Sequence, residues 1–370
     1  MNGLYIHLPF CLKKCLYCDF VSFSDCFSKA PVYIDALICE MQEYRGEKLD
    51  TVYFGGGTPT SLPEELLLKL ICAVFENFEV KKNAEITVEC NPKTAGLSYF
   101  KNLKNAGVNR LSIGTQSLND SELAFLGRVH SAEDAKKCIL DAKKAGFENI
   151  NADLMFGLGI QTKESVLASL DELISLKIPH ISCYSLIIEE NTPFGKMERE
   201  GKLKLMDEDT ERDIYLSISK SLIKNGYNHY EISNYAKDGY LSCHNTKYWK
   251  RAPYIGLGAA SHSFYQNKRF QNPDGICEYI DFVKNKGRRT KEIVSQDDAI
   301  SEFMFLGLRM LSGISKNEFK KEFGFCLNDI FQKEINELTA LNLLEENGDI
   351  LRLTPRGIDV SNEVFIRFLI

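Results

Sequence analysis

Three cysteines lie close together near the start of the chain, in the segment CLKKCLYC at residues 11–18. Cys11, Cys15 and Cys18 have C-x3-C-x2-C spacing, and Phe20 stands two residues after the last of them. Structural zinc needs four ligands, usually in two separated pairs, and no second pair is present. A 4Fe–4S cluster held by three thiolates leaves one iron open for a non-protein ligand. The spacing favours this cluster, with zinc or a coincidental grouping as alternatives.

A glycine-rich segment, FGGGTPT at residues 54–60, follows a predicted strand and precedes a predicted helix. It is not a P-loop, because no Gly-Lys-Ser/Thr follows the glycines. Its plainest interpretation is a strand-to-helix turn, for which glycine supplies the dihedral angles. Consecutive glycines also let a ligand lie against the backbone. Gly55, Gly56, Gly57 and Thr58 are therefore candidates to hold the methionine end of S-adenosylmethionine, whose amino and carboxylate groups can bind an open cluster iron.

Four further polar residues lie within, at the end of, or after predicted strands. Glu89 ends one strand and Gln116 another, Arg128 follows in LGRVH, and Asp153 lies within the apolar strand NADLMFG. Each one alone is more often a structural polar group. Together, however, carboxylates suit a ribose diol and an ammonium, and a guanidinium suits a carboxylate. These four residues would complete a site for S-adenosylmethionine.

The segment CHNTKYWK at residues 243–250 contains the only tryptophan of the chain. An imidazole beside broad aromatic surface suits a planar ligand such as haem, so His244 is a candidate axial ligand, with Tyr248 and Trp249 covering the ring. Haem binding through neutral His244 should then weaken as the pH falls through about 6.5. The alternative is that His244 only caps a loop, in which case Cys243 or His262 is the next candidate.

Short apolar runs alternate with amphipathic segments up to about residue 200. The runs predict strands at Leu4–Leu8, Thr51–Phe54, Glu85–Glu89, Arg110–Ile113, Ile150–Met155 and His180–Leu186. The amphipathic segments predict helices, among them Pro63–Asn77, Ser131–Ala145 and Lys163–Leu176. This alternation implies right-handed crossovers and a parallel sheet. The predicted fold class is α/β, a partial (β/α) barrel with its ligand residues at the C-terminal ends of the strands.

The pattern changes in the second half of the chain. Residues 206–233 predict a long helix and a strand, and residues 234–274 are expected to be rich in loops. We assign residues 1–290 to the barrel domain and residues 291–370 to a small second domain. In the latter, helices precede two strands around Asn347-Gly348, which is typical of a winged helix. The would-be recognition helix, between Leu327 and Leu341, carries Asp329, Glu334 and Glu337 against Lys333 alone, so we expect a lid or packing domain rather than a DNA reader.

Composition excludes several classes of protein. A net charge of −6 and a pI near 5.7 offer no basic surface for nucleic acid. No apolar run reaches the roughly 18 residues of a membrane span, and the first residues, MNGLYIHLPFC, do not have the pattern of a signal peptide. The twelve cysteines do not form a disulfide framework. The expected location is the cytoplasm, with a peripheral position at the membrane as a further option.

Taken together, these motifs resemble one known family. The segments YIHLPFCLKKCLYCDF, YFGGGTPT, VECNP, LSIGTQS, LGRVH, DLMFGLGIQT, HNTKYW and LTPRGIDVSNEVF are similar to those of radical S-adenosylmethionine proteins related to oxygen-independent coproporphyrinogen III oxidase. The resemblance is stronger to the haem chaperone branch than to the oxidase. The oxidase has a further cysteine where this chain has Phe20, and an N-terminal extension before the first strand. HNTKYW also matches the HNxxYW motif of the chaperone branch.

The resemblance implies specific roles for individual residues. It implies cluster ligation by Cys11, Cys15 and Cys18, and S-adenosylmethionine contacts from Tyr5, Tyr17, Gly56, Gly57, Thr58, Glu89, Gln116, Arg128 and Asp153. Gly159 departs from the family, which usually has proline there, and is expected to loosen a loop. The implied function is to hold haem and pass it to haem-requiring proteins, including membrane-bound respiratory enzymes.

The resemblance leaves several matters open. It does not decide whether the chain is an enzyme, and it allows a homodimer. We expect no coproporphyrinogen oxidase activity. The alternatives are the oxidase, which converts propionate side chains to vinyl groups, and a radical enzyme with another substrate.

Overall fold

The central feature of the protein is one twelve-stranded sheet, seen in a computed structural model that describes residues 1–370. Its first six strands are β1 (Asn2–Leu8), β2 (Lys48–Gly56), β3 (Glu79–Cys90), β4 (Arg110–Gln116), β5 (Asn149–Phe156) and β6 (His180–Ser185). Each pairs in parallel with the next strand along the chain. All six predicted strands are therefore present, and their carboxyl ends lie at one edge of the sheet.

Helices connect these strands and pack against the sheet. They are α1 (Ala30–Met41), α2 (Glu64–Asn77), α3 (Leu97–Asn105), α4 (Asp120–Phe125), α5 (Ala132–Lys144) and α6 (Lys163–Ser175). Apolar residues recur every three or four positions in these helices, so one helix face meets the sheet. In α2, for example, Leu67, Leu70, Ile71 and Val74 are buried. The result is a main core of 57 buried residues.

The opposite face of the same strands is polar. In β3, Glu85, Thr87 and Glu89 alternate with buried Ile86 and Val88. Successive strand residues point to opposite faces, so one set enters the helix-covered core and the other forms a polar interior. We call this second surface the inner face. The alternation explains why Asp153 lies in an apolar strand: its side chain belongs to the inner face.

The segment expected to be rich in loops, residues 234–274, also contains four short strands and one helix. The chain continues through α7 (Pro193–Arg199), α8 (Glu208–Lys224), β7 (Asn228–Glu231), β8 (Asn234–Ala236), α9 (Cys243–Trp249), β9 (Tyr254–Leu257), β10 (His262–Tyr265), β11 (Lys268–Gln271), α10 (Ile276–Lys284) and β12 (Glu292–Ile293). Strand β9 pairs in parallel with β1, and β10–β12 extend that edge in antiparallel fashion. Sequence analysis missed these strands because strands of two to four residues leave little periodic pattern in the sequence.

The last part of the chain has a core of its own. It comprises α11 (Gln296–Gly307), β13 (Ile314–Ser315), α12 (Lys316–Phe323), α13 (Asn328–Ala340), β14 (Leu344–Asn347), β15 (Ile350–Leu353), α14 (Pro355–Asp359) and α15 (Ser361–Phe365). Sixteen buried residues form the separate core, and β13, β15 and β14 form a three-stranded antiparallel sheet. The helices and hairpin of the predicted winged helix are present. The hairpin turn is Gly348-Asp349, one residue later than predicted.

None of the helices has the length and apolar character needed to cross a lipid bilayer.

Candidate functional site

The cysteine loop follows β1 and is tied to the rest of the fold at several points. The Cys11 amide donates to the Phe23 carbonyl at 3.0 Å, and the Leu16 amide donates to the Leu126 carbonyl at 3.1 Å. His7, on the inner face of β1, donates from Nε2 to the Val21 carbonyl at 2.8 Å. Since Nε2 carries the proton, Nδ1 of His7 accepts a hydrogen bond from the Tyr5 hydroxyl at 2.9 Å. The loop is therefore fixed over the carboxyl end of β1.

The three thiols of this loop are mutual neighbours. Burial raises the pKa of Cys18 to about 11, and the nearby thiols of Cys15 and Cys11 raise it as well. Two of the three sulfurs also have polar neighbours: Cys11 Sγ lies 3.5 Å from Thr58 Oγ1, and Arg128 Nη1 donates to Cys15 Sγ at 3.4 Å. In this arrangement no three ligating side chains are close enough to hold a metal ion. Because iron binds thiolates, metal loading must release protons from all three.

The glycine turn after β2 packs directly on the cysteine loop. The Gly57 amide donates to the Leu8 carbonyl at 2.9 Å, and the Thr58 amide donates to the Phe10 carbonyl at 2.7 Å. A Cβ at Gly57 would lie 2.7 Å from the Phe10 carbonyl oxygen, so a larger residue would push the two loops apart. Gly56 has φ of +108°, which side chains rarely adopt. These glycines allow the close approach of the two loops.

Glu89 lies beside this turn on the inner face. Its carboxylate accepts hydrogen bonds from the Tyr53 hydroxyl at 2.8 Å and from the Gly56 amide at 3.1 Å. Burial raises the pKa of Glu89 to about 7, and the nearby Asp153 carboxylate also raises it. Two carboxyl groups lie at this mouth of the sheet, and burial raises the pKa of each. Such an environment suits a ligand that carries an ammonium or sulfonium charge.

Arg128 joins the cysteine loop to the ends of β3 and β4. Its Nη2 donates to Asn91 Oδ1 at 2.5 Å and to the Gly114 carbonyl at 2.7 Å, while Nη1 faces Cys15. Asn91 in turn donates to Thr58 Oγ1 at 2.7 Å. One guanidinium thus holds four segments of the site in a fixed arrangement. Its charge can also compensate a carboxylate or a cluster thiolate.

Gln116, Asp153 and Tyr17 complete the mouth of the sheet. Gln116 has φ of +64° at the end of β4, and its Oε1 accepts from the Tyr184 hydroxyl at 2.7 Å. Backbone strain of this kind in a residue other than glycine is concentrated at functional sites. Asp153 Oδ1 accepts from Asn151 Nδ2 at 2.7 Å, and burial raises its pKa. Burial raises the pKa of Tyr17 too. The nearby Cys15 and Asp153 raise it further, whereas the Arg128 guanidinium lowers it.

The raised pKa of Glu89 leads to a stability prediction. Because its pKa is about 7 in the fold and 4.5 ordinarily, folding favours the protonated form. The associated stability is fully present below pH 4.5 and is lost as the pH rises through about 7. In cofactor-free protein, Glu89→Gln should therefore gain stability relative to wild type over this range, by roughly 1–3 kcal/mol after allowance for partial exposure. Urea unfolding at several pH values measures this difference.

The matched control for this prediction is Glu148→Gln, since Glu148 is an exposed glutamate away from the site. It should follow the wild-type dependence on pH. A Glu89→Gln profile parallel to that of wild type would show that the Glu89 carboxyl has no raised pKa.

The structure places His244 differently from the sequence-based expectation. The imidazole is buried, with Nδ1 hydrogen-bonded to Thr51 Oγ1 at 2.9 Å and Nε2 to the Tyr248 hydroxyl at 2.8 Å. It also stacks on Tyr53 at a ring separation of 5.1 Å. Iron ligation needs an unoccupied ring nitrogen, and this conformation offers none. Burial lowers the pKa of His244 to about 3, so a pH dependence near 6.5 is not expected from this residue.

The other two residues of HNTKYW face different parts of the protein. Trp249 packs in a small buried cluster with Tyr230 and Met310, and the Arg309 guanidinium lies 4.4 Å from its ring. Arg309 belongs to the segment after α11, so Trp249 contacts the C-terminal unit. Tyr248 instead lines a pocket on the other side of α9. The expectation that Tyr248 and Trp249 together cover one ligand ring is therefore wrong for this conformation.

That pocket lies beside the cysteine loop and has a volume of about 330 Å³. It is lined by Tyr5, His7, Asp19, Phe20, Val21, Tyr248, Tyr254, Ala260, Ser261 and His262. Phe20, two residues after Cys18, is 71% exposed. Tyr248 and Tyr254 meet edge to face at 4.7 Å. Largely aromatic walls with a few polar groups are typical of a small-molecule site.

Gly159 does not loosen its loop as expected. A Cβ at this position would lie 1.8 Å from the Lys204 carbonyl oxygen, so the glycine permits a close approach of residues 204–205. Leu158 forms an isolated antiparallel bridge with Leu205 at the same point. The loop is therefore packed against a neighbouring segment. Sequence alone could not detect a contact between residues so far apart in the chain.

Two family models and several full-length relatives are similar to the chain. A model described as "Radical SAM superfamily" matches residues 5–173, and one described as "HemN C-terminal domain" matches residues 294–360. Heme chaperone HemW of Bacillus subtilis is 38% identical, covering 100% of this chain and 99% of the relative. Heme chaperone HemW of Escherichia coli is 33% identical, covering 99% and 98%. The chain belongs to the heme chaperone HemW family.

A solved structure supports the fold assignment. Coproporphyrinogen III oxidase (HemN) from Escherichia coli, described as a radical SAM enzyme, superposes with a TM-score of 0.87 at 23% identity. The match covers 100% of this chain and 90% of the oxidase chain. The superposition confirms the partial barrel. The family model confirms its radical SAM type, and the full-length relatives confirm the expected chaperone branch.

Membership of the radical SAM superfamily implies a 4Fe–4S cluster and S-adenosylmethionine. The donor set of this chain fits both groups. Three neighbouring thiols stand beside a glycine turn, and two carboxylates, an amide and a guanidinium gather at the adjoining mouth of the sheet. When bound, the cluster and its cofactor supply one-electron chemistry. The residues described above would bind and orient them.

Sequence reasoning missed several residues that hold this site together. Tyr53 donates to Glu89, Asn91 joins Thr58 to Arg128, Asn151 donates to Asp153, and Tyr184 donates to Gln116. Tyr53, Asn91 and Asn151 lie within two residues of a predicted site residue or motif, so the alternation of the strands was an available signal. Tyr184 had no such signal, because it reaches Gln116 from a strand 68 positions away.

Proposed function

We propose that this chain binds haem and transfers it to haem-requiring proteins. The observation that carries the proposal is the similarity along nearly the whole chain to proteins named heme chaperone HemW. The exposed aromatic ring of Phe20, beside a pocket walled by tyrosines, supports the same function. A chaperone must hold a large planar ligand and release it again. A partly open pocket suits this task better than an enclosed one.

We further propose that Cys11, Cys15 and Cys18 hold a 4Fe–4S cluster and that S-adenosylmethionine binds next to it. Gly56, Gly57 and Thr58 would contact its methionine end, and Glu89 its ammonium. Asp153 and Gln116 are assigned to the ribose and its surroundings, Arg128 to the carboxylate side, and Tyr5 and Tyr17 to the walls. The hydrogen bonds that fix Glu89, Arg128 and Gln116 support this assignment, because a pre-organised site loses less entropy on binding.

The second candidate function is oxygen-independent coproporphyrinogen III oxidation. The Escherichia coli oxidase shares the fold of this chain, but at 23% identity that match bears on the fold alone. Against it stands Phe20, because the position after the cysteine triplet offers an apolar ring in place of a thiol. A radical enzyme with another substrate would share the cluster and the cofactor with the chaperone.

One anaerobic preparation distinguishes these functions. Reconstituted protein is expected to bind haem at about one per chain and to form no protoporphyrinogen from coproporphyrinogen III. Haem titration followed by absorbance measures the first property, and product chromatography measures the second. Catalytic formation of protoporphyrinogen would contradict the chaperone proposal, as would the absence of haem binding.

We also propose a setting for this function. All twelve cysteines are free thiols, which suits the reducing conditions of the cytoplasm. The haem acceptors would include respiratory enzymes at the membrane, where the chain would work peripherally. A homodimer is compatible with this role. Residues 291–370 would act as a packing or lid domain, since Arg251 of the barrel pairs with Glu302 at 3.0 Å and Glu322 at 2.6 Å. Net charge again argues against nucleic acid as a partner.

A further inference from the structure

One histidine of the six differs from all the others. His7, His130, His180, His229 and His244 each have a hydrogen-bond partner on at least one ring nitrogen and are at least partly buried. His262 is exposed, and its imidazole forms no hydrogen bond with any other group. A neutral imidazole with a free nitrogen is the commonest metal ligand in proteins. His262 is therefore the one exposed histidine of the chain, with both ring nitrogens free for a ligand.

His262 lies at the edge of the aromatic pocket described above. Tyr5, Tyr248 and Tyr254 form much of the wall, and Phe20 lies on the side of the cysteine loop. Asp19 is the only carboxylate among the residues that line the pocket. A flat apolar ligand would bury area against the aromatic rings. Its carboxylate groups would point to solvent, away from Asp19, because like charges repel.

The backbone that carries His262 is held in place. Ala260 has φ of +57°, an unfavourable value for alanine, and its amide donates to the Pro273 carbonyl at 2.9 Å. Ser261 is buried and donates from Oγ to the Gly258 carbonyl at 2.7 Å. A strained turn that is fixed from both sides is typical of a functional position. It fixes the backbone position from which the free imidazole reaches the pocket.

We propose that haem binds in this pocket with His262 as its axial ligand. The inference rests on the proposed haem chaperone function and locates its cargo. It assigns ligation to His262 rather than to His244, whose two ring nitrogens bond to Thr51 and Tyr248. In this arrangement His244 positions Tyr248 in the pocket wall. Exposure of the ligand also suits transfer, because an acceptor can reach the iron from the open side.

The test compares haem binding by wild type, His262→Ala and Gln271→Ala. Gln271 is the exposed cross-strand partner of His262 in the β10–β11 hairpin, so its replacement controls for changes to the hairpin itself. His262→Ala should lose the absorbance spectrum of histidine-ligated haem and at least about tenfold in affinity, whereas Gln271→Ala should keep both. Thermal unfolding of the three proteins should agree, since both side chains are exposed.

A second variant tests ligation directly. His262→Gly leaves space beside the iron, and added free imidazole should restore the wild-type spectrum. A purely structural role of His262 would not produce this rescue. His262→Ala with the spectrum and affinity of wild type would overturn the assignment and leave the chaperone proposal standing. Absence of haem binding by wild type would instead remove the proposed function, and this inference with it.

Discussion

Replacement of Cys15 by alanine is expected to abolish the iron–sulfur site. Wild type, reconstituted under anaerobic conditions, should hold about four irons per chain, the stoichiometry of a cubane cluster. Only Cys11, Cys15 and Cys18 stand together in this region, so the variant would keep two thiolates, too few for the cluster. Cys15 is also the thiol that accepts a hydrogen bond from Arg128. Iron analysis and visible absorbance measure the loss.

Cys26→Ala is the matched control for this experiment. Cys26 is the next cysteine along the chain, and its thiol donates to Asp25 Oδ1 at 3.4 Å, outside the triplet. This variant should keep the full iron content. Zinc as the tightly bound metal of wild type, without iron–sulfur absorbance, would contradict the cluster, and so would a full iron content in Cys15→Ala.

The second large effect is expected from Asp153→Asn, which should weaken S-adenosylmethionine binding and leave the cluster intact. Asparagine has the same shape, and its oxygen can still accept the hydrogen bond from Asn151. The substitution therefore removes the charge with little change in packing. The loss of one charge-assisted hydrogen bond is worth roughly 1.5–3 kcal/mol, or about ten- to a hundredfold in affinity. Calorimetry on cluster-loaded protein measures it.

Asp213→Asn serves as the control here. Asp213 forms an exposed ion pair with Lys163 at 2.8 Å on the outer helices, so its loss should not change cofactor affinity. Iron content must stay equal among the three proteins, which separates a binding defect from a folding defect. Wild-type affinity in Asp153→Asn would remove Asp153 from the cofactor site.

Local pattern was enough to predict the barrel and the mouth of its sheet. Strands of six or more residues with apolar cores, separated by amphipathic helices, leave a periodic pattern that survives in a single sequence. Parallel pairing then brings the ends of the strands to one edge. Glu89 and Gln116, with Asp153 nearby, were therefore predicted as neighbours although more than twenty positions separate each from the next. The cysteine triplet was predicted from its spacing alone, without any prediction of the fold.

Tertiary structure decided the role of each residue in HNTKYW. The motif identified the branch of the family, but spacing cannot show which way each side chain of α9 points. His244 turns inward to Thr51, Tyr248 lines the pocket, and Trp249 meets Arg309. Short strands such as β9–β11 were missed because strands of four residues leave little periodic pattern in the sequence.

The sequence by itself determined the fold, the family and the cysteine triplet, because these depend on residue type and local spacing. Only the tertiary structure separated His262 from the other histidines. Whether a ring nitrogen is free depends on partners such as Thr51 and Tyr248 for His244, and Asn151 and Tyr230 for His180. Several of these partners lie more than twenty-five positions away in the chain, and packing alone brings them within hydrogen-bond distance.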